Sequence, residues 1–269
     1  MHKIGLAIIA SSLVLSSCSK HMEIVSNQVK ATVENQKQNR HNRNIINKLE
    51  KALANNNHNE AIGLYDKLSS NAQAGYTLKI ADSYRLTGNC VNAIKLYDEM
   101  GNNLDALEGR ALCHMQEGEL TEASILFNKI INHDASRWRV LNSLGVIEAL
   151  SNRFDGAMSY YNMALEISDK KYIVQNNIAL SLAFNGRMDQ AIKVLEQAIP
   201  QHNTISQNHL VKLELNLALF YGIAGKNDMA ANIAAKYLSP EQLENNLRYY
   251  ATLSKDYKLA KGNLANIMQ

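Results

Sequence analysis

Residues 140–165, VLNSLGVIEALSNRFDGAMSYYNMAL, and residues 174–199, VQNNIALSLAFNGRMDQAIKVLEQAI, align without a gap. Gly145 in the first stretch answers Ala179 in the second, Asn152 answers Gly186 and Ala157 answers Ala191, each 34 positions on. Residues 107–130 stand in the same register, because Ala111, Gly118 and Ala123 precede Gly145, Asn152 and Ala157 by 34. Residues 74–100 carry the same signature at Ala81, Gly88 and Ala93, and residues 215–238 carry it at Ala218, Gly225 and Ala230. A weaker unit upstream has Leu49, Asn56 and Ala61 at the corresponding places. A small residue in each half lets two helices approach closely. Large neighbours such as Tyr84, Tyr97, Phe127, Phe154 and Tyr161 fill the space beside it. Gly or Asn between the halves tolerates the left-handed conformation that ends a helix.

Helix–turn–helix units repeating every 34 residues are the tetratricopeptide pattern. The expected fold is therefore all-α, a tetratricopeptide-repeat array over residues 42–239 with about six units, the first divergent. Such units stack into a right-handed superhelical solenoid through nearest-neighbour contacts. Composition agrees, since 13 Gly and 2 Pro in 269 residues, with Ala and Leu abundant, favour helix throughout. Two steps depart from the period. Ala81 to Ala111 is 30, which places a shortened second helix near residues 101–103. Ala179 to Ala218 is 39, and the excess lies in IPQHNTISQNH (199–209), read as an extended connection and a longer first helix. After Ser239-Pro240, two helical stretches, 241–252 and about 255–267, are expected to cap the array over residues 240–269.

The N-terminus opens with Met1, His2 and Lys3, followed by an apolar run from Ile4 to Leu15. That run suits a signal peptide and falls short of the roughly 20 residues that span a bilayer. It ends in Leu15-Ser16-Ser17-Cys18, which resembles the bacterial lipobox. The resemblance implies cleavage after Ser17, so that residues 1–17 are leader, and acylation of Cys18. Several acyl chains give stable membrane anchoring at about 0.8 kcal/mol per buried CH₂. The alternative is an ordinary signal peptide with an incidental cysteine. Ser19 stands where an Asp would mark inner-membrane retention, so the implied address is the outer membrane, periplasmic side. Residues 18–41 show no clear periodicity and read as a flexible, lipid-anchored tether.

No enzymatic constellation emerges. The eight histidines include no HExxH spacing, Gly225-Lys226 lacks the upstream glycine of a phosphate loop, and no Gly-x-Ser-x-Gly elbow occurs. The expectation is no catalysis, no metal, no cofactor beyond the lipid on Cys18, and no small-molecule substrate. A net charge of +3 argues against a nucleic-acid partner. Cys90 begins one second helix and Cys113 lies late in the next first helix, towards the same end of the pair. They are either a disulfide or two buried thiols acting as small hydrophobes.

Protein binding is the activity left. Tetratricopeptide arrays usually take ligands on the face lined by first helices, and by that resemblance the lining includes Val146, Leu150, Leu180, Phe184, Leu219 and Ile223. None is charged, so the stripe suits an amphipathic helix or a section of the chain's own C-terminus; alternatively some of these side chains pack between repeats. The run 215–250, LNLALFYGIAGKNDMAANIAAKYLSPEQLENNLRYY, resembles the last repeat and following segment of the TadD family. These are the tetratricopeptide lipoproteins of tight-adherence (Flp) pilus assembly. The matching elements are Asn216-Leu217-Ala218-Leu219, the turn from Gly222 to Gly225, and Leu238-Ser239-Pro240-Glu241-Gln242. VLNSLGVIEAL and NNIALSLAFNGRMDQAI resemble the two preceding repeats of that family. The resemblance implies a pilotin-like scaffold that binds the pilus secretin, or another Flp assembly protein, and assists its localisation or assembly. A pilotin of an ordinary type IV pilus and a periplasmic scaffold for peptidoglycan or barrel-assembly machinery are the alternative readings.

Overall fold

A computed structural model describes the backbone of residues 2–201 and 205–267, and the side chains of residues 26, 28, 30–200 and 205–257. Among these residues every regular element is a helix: α1 (His2–Ala54), α2 (His58–Tyr65), α3 (Ser70–Gln73), α4 (Thr77–Leu86), α5 (Cys90–Asp98), α6 (Leu104–Gln116) and α7 (Leu120–His133) come first. They are followed by α8 (Trp138–Leu150), α9 (Phe154–Ile167), α10 (Lys171–Phe184), α11 (Met188–Gln201), α12 (Gln207–Ile223), α13 (Asn227–Ala234) and α14 (Pro240–Ile267). The chain divides into two compact units, Met1–Cys113 and His114–Gln269, with the division falling inside α6.

The turn chemistry read from the sequence is what the backbone adopts. Asn56, Gly88, Gly118, Asn152, Gly186 and Gly225 have φ of 54°, 81°, 81°, 58°, 74° and 81°. At the α10–α11 turn the Gly186 N–H donates to the Ala183 carbonyl (3.1 Å) and the Arg187 N–H to the Leu182 carbonyl (2.8 Å). This reciprocal pair is the Schellman arrangement, which satisfies carbonyls left open at a helix end. The small positions are equally consistent. Ala81, Ala93, Ala111, Ala123, Ala157, Ala179, Ala191, Ala218 and Ala230 are all fully buried.

In the first unit, Asn42, Ile45, Leu49 and Ala52 form the buried stripe of α1, packed with Ala61, Leu64 and Tyr65 of α2 and with Ile80 of α4. A second cluster joins Ala81, Ala93, Tyr97, Ala106, Cys90 and Cys113. Cys90 and Cys113 are both buried in this cluster, as thiols. The Tyr97 hydroxyl donates to Asp82 at 2.7 Å, and Arg85 also reaches that carboxylate at 3.3 Å. Helix α5 ends at Asp98 and Gly101 has φ 59°, which accounts for the short 30-residue step.

In the second unit one core runs from Leu141 through Tyr161, Ile178, Leu195 and Phe220 to Tyr250. Helix α12 has 17 residues, against 13 in α8 and 14 in α10, so a longer first helix absorbs part of the 39-residue step. The Ser239 hydroxyl accepts from the Gln242 N–H (3.3 Å), and the Gln242 side chain accepts from the Ser239 N–H (3.0 Å). With Pro240 at the first helical position, this is a capping box that starts α14.

Two expectations about the ends differ from the structure. Residues 18–41 lie within α1 and not in an irregular tether. Residues 30–41 are exposed, so no core holds this stretch. Its helicity follows from composition, because no Gly or Pro occurs between Gly5 and Gly63. At the other end, the two expected caps are one continuous helix, α14. Across the expected break, Ser254 is buried and the Thr252 hydroxyl bonds to the Arg248 carbonyl. The lipobox residues, Cys18 included, lie outside the described side chains. Among the described residues no helix is long and apolar enough to cross a membrane.

Candidate functional site

Helices α8 and α10 are first helices of successive units, and their side chains one register apart meet across a groove. Val146 and Leu150 on α8 and Leu180 and Phe184 on α10 line one concavity of about 250 Å³, together with Ala149. Tyr161, Ser181, Asn152 and Asn177 complete its wall. Four of the six groove residues expected from sequence are thus brought together. The lining contains no charged residue. Phe184 is 86% exposed and Leu150 57% exposed, so two large apolar side chains face solvent within one groove. Isolated apolar residues on a surface are ordinary, whereas a contiguous set in a concavity marks an interaction site.

The shape of the groove comes from the repeat chemistry. Tyr161 is 1% exposed and its hydroxyl lies 3.0 Å from the Ser181 hydroxyl, so its ring is fixed beneath the groove. Gly145 makes room for that ring, since a Cβ there would come within 2.5 Å of Tyr161 Cε1. The charges nearest the turn are engaged with one another. Arg153 makes two hydrogen bonds to Glu148, at 2.7 and 2.8 Å, holding the Glu148 carboxyl below its ordinary range. Arg187 stacks over the Phe154 ring at 4.4 Å.

Two asparagine pairs, not anticipated from sequence, extend the site. Asn177 donates to Asn142 at 3.0 Å and Asn216 donates to Asn176 at 2.8 Å, linking α8 to α10 and α10 to α12. A signal for them was present, because Asn142 and Asn176 are 34 residues apart and so occupy the same repeat position. Beside them a smaller concavity of about 130 Å³ is lined by Tyr172, Ile173, Asn176, Asn177, His209, Lys212 and Leu213. The face of α10 therefore runs from amide-rich at Asn176–Asn177 to apolar at Phe184, about 12 Å at 1.5 Å per residue.

Leu219 and Ile223 do not join this groove. Both are partly buried against the core of the second unit, as Val146 and Leu180 also are, and neither lines the concavity. Helix α12 is where α14 packs, with Tyr250 lying over Gly222. Among the described residues no group of three or more His, Cys, Asp and Glu is placed to hold a metal ion.

No protein-family model matches the sequence, and no curated protein matches it. Similarity appears among solved structures. A tetratricopeptide repeat protein from Parabacteroides merdae superposes with a TM-score of 0.58 at 16% identity, over 84% of this chain and 93% of that one. A thermophilic TPR protein of Thermus thermophilus gives a TM-score of 0.53 at 21% identity, over 66% of this chain and 97% of its own. At such identities the likeness concerns the fold, and the fold is an all-α tetratricopeptide-repeat array.

Proposed function

We propose that this chain is a non-catalytic, lipid-anchored scaffold that holds an apolar segment of a partner protein in the groove between α8 and α10. The observation that carries the proposal is the uncharged concavity containing Val146, Leu150, Leu180 and Phe184, open to solvent at Phe184. Apolar side chains of the partner supply the driving force there, at about 25 cal/mol per Å² removed from water. Asn176 and Asn177 at the amide-rich end offer donors and acceptors to a peptide backbone. Acylated Cys18 would hold the molecule at the periplasmic side of the outer membrane. The TadD-like run 215–250 points to Flp pilus biogenesis as the process and to the secretin as the partner.

The test has separate arms. Pull-down from envelope extracts with the full chain should recover the secretin, and Phe184→Asp should abolish recovery. Deleting the gene should change the level, location or multimer state of the secretin; no change in all three removes the pilus reading. Cys18→Ala should abolish acyl labelling and release the protein from the membrane fraction, and persistent labelling refutes the lipobox assignment.

A further inference from the structure

Helix α1 exposes Lys30, Lys37, Arg40, Arg43, Lys48 and Lys51. At 3.6 residues per turn these six fall within an arc of about 140°. The buried residues Asn42, Ile45, Leu49 and Ala52 occupy a separate arc of about 80° beside it. Glu34 and Glu50, the acidic residues of the same stretch, both lie outside the basic arc. The other residues within it, Val33, Gln36, Asn44, Asn47 and Ala54, are uncharged and exposed. Among the described residues none of the six basic groups forms an ion pair. Arginines elsewhere in the chain do, as Arg110 with Asp98 at 3.1 Å and Arg137 with Asp134 at 3.2 Å. Six positive charges on one face exceed the +3 of the whole chain, so the rest of the molecule is net negative.

Residues 30–41 are exposed on every side, and a short polar helix without a core to rest on is marginal in water. A surface of opposite charge would supply the missing contact. We propose that this face lays α1 along an anionic phospholipid bilayer, with the Lys and Arg heads among the phosphates and Val33 between them. Distance decides between lying flat and standing upright. If Cys18 is acylated as proposed above, an upright α1 would hold Lys30 about 18 Å and Lys48 about 45 Å from the headgroups, at 1.5 Å per residue. The Debye length is about 10 Å at 0.1 M salt, so an upright helix gains nothing from these charges. Lying flat, a helix about 10 Å across brings the whole arc within that distance. The bilayer is then the one that carries Cys18, although the attraction itself needs no acyl chain.

The test uses the chain from residue 18 onward carrying Cys18→Ser, so that neither leader nor acyl chain contributes. The buried residues of α1 begin at Asn42, so this chain keeps both cores. Co-sedimentation is measured with vesicles of equimolar phosphatidylcholine and phosphatidylglycerol, and with vesicles of phosphatidylcholine alone. The chain should partition onto the anionic vesicles only, and less as salt rises. Each Lys or Arg at an anionic surface strengthens binding about fivefold. Replacing Lys30, Lys37 and Arg40 together by Gln should therefore weaken partitioning about a hundredfold, whereas Lys30→Arg with Lys37→Arg should leave it intact. The control is Gln at Lys170, Lys171 and Lys193, three exposed lysines of the second unit, which makes the same change in net charge and should leave partitioning unchanged. Equal partitioning onto both vesicles, partitioning onto neither, or an equal loss in the control overturns the proposal. Displacement from the vesicles by duplex DNA at equal phosphate concentration also overturns it, because the face would then serve a polynucleotide. Neither the groove nor acylation enters this test, so its failure removes the basic face alone, and failure of the Phe184→Asp or Cys18→Ala tests leaves that face standing.

Discussion

Replacing Gly145 by alanine sets two physical effects against each other with opposite signs. Gly145 sits inside α8, where alanine is favoured over glycine by about 1 kcal/mol on helix propensity alone. The new methyl, however, would lie 2.5 and 2.6 Å from Cε1 and Cδ1 of Tyr161. That ring is 1% exposed, packed in the core of the second unit, and tied through its hydroxyl to Ser181. Overpacking of this kind costs about 1–3 kcal/mol, and a shift that breaks the buried hydroxyl pair adds about 1–2 kcal/mol. The net expectation is destabilisation by about 2–3 kcal/mol. The assay is urea unfolding followed by the fluorescence of Trp138, the one tryptophan in the chain, which begins α8 itself. One repeat on, the corresponding residues are Ala179 and Leu195, both fully buried, which suggests the control. In a Tyr161→Leu background the same Gly145→Ala change should reverse sign and stabilise by up to about 1 kcal/mol. If Gly145→Ala stabilises the otherwise unaltered protein, or if the two changes are simply additive, the account of the small position is wrong.

Three further outcomes follow from the same geometry. Asn152 holds φ 58° at the α8–α9 turn, so Asn152→Gly should raise the urea midpoint slightly and Asn152→Ala should lower it, at a cost of about 1 kcal/mol in stability, in the same fluorescence assay. Burial first, and then the bond to Asp82, push the Tyr97 hydroxyl well above its ordinary value. The stabilisation tied to its protonated form is therefore complete below about pH 10 and lost as pH rises towards the folded value. Thermal melts from pH 8 to 11 should show an alkaline loss that is shallower in Tyr97→Phe. Gly222→Ala would press on Tyr250 at its Cβ, an atom that rotation of the ring cannot move aside, so α14 should loosen and be cleaved faster in limited proteolysis. An unchanged cleavage rate counts against the close α12–α14 contact.

The parts of this fold that the sequence makes legible are those where one residue type alone satisfies the geometry. Left-handed φ at a helix end selects Gly or Asn, and close helix approach selects Ala or Gly, so Gly186 and Ala179 announce their roles without any tertiary information. The groove at Val146, Leu150, Leu180 and Phe184 is legible because a 34-residue period carries equivalent positions onto one face. Leu219 and Ile223 take the corresponding places in the next unit, 39 rather than 34 residues on, and lie outside the groove on α12, the helix against which α14 packs; no repeat position records that packing. The helical state of residues 18–41 was illegible for a different reason. No buried stripe holds residues 30–41, so there was no pattern to find, and the absence of breakers is a weaker signal than periodicity. Leu238-Ser239-Pro240-Glu241-Gln242, which carried much of the family resemblance, has a sufficient local cause in the capping box. Any helix starting there would favour those residues, so the segment bears on where α14 begins more directly than on which partner is bound.

Stability and binding meet at Tyr161. Its ring belongs to the core of the second unit and also lines the groove, and its hydroxyl pairs with Ser181, which lines the groove from α10. The ring that the absent side chain of Gly145 admits is thus the ring on which an apolar occupant of the proposed site would rest. In a repeat array the contacts between neighbouring units contribute much of the stability. An occupant touching both Leu150 on α8 and Phe184 on α10 adds to one such interface, stabilising it by RT ln(1 + [L]/Kd). At a hundred times Kd that amounts to about 2.7 kcal/mol, comparable to the expected cost of Gly145→Ala. A saturating groove ligand should therefore restore most of the stability lost in Gly145→Ala, provided the displaced ring leaves the groove intact. If Tyr161 has instead been driven up into the groove, the ligand binds weakly and the stability stays lost. The size of the ligand-induced shift in the Gly145→Ala protein thus reports which way the ring has moved.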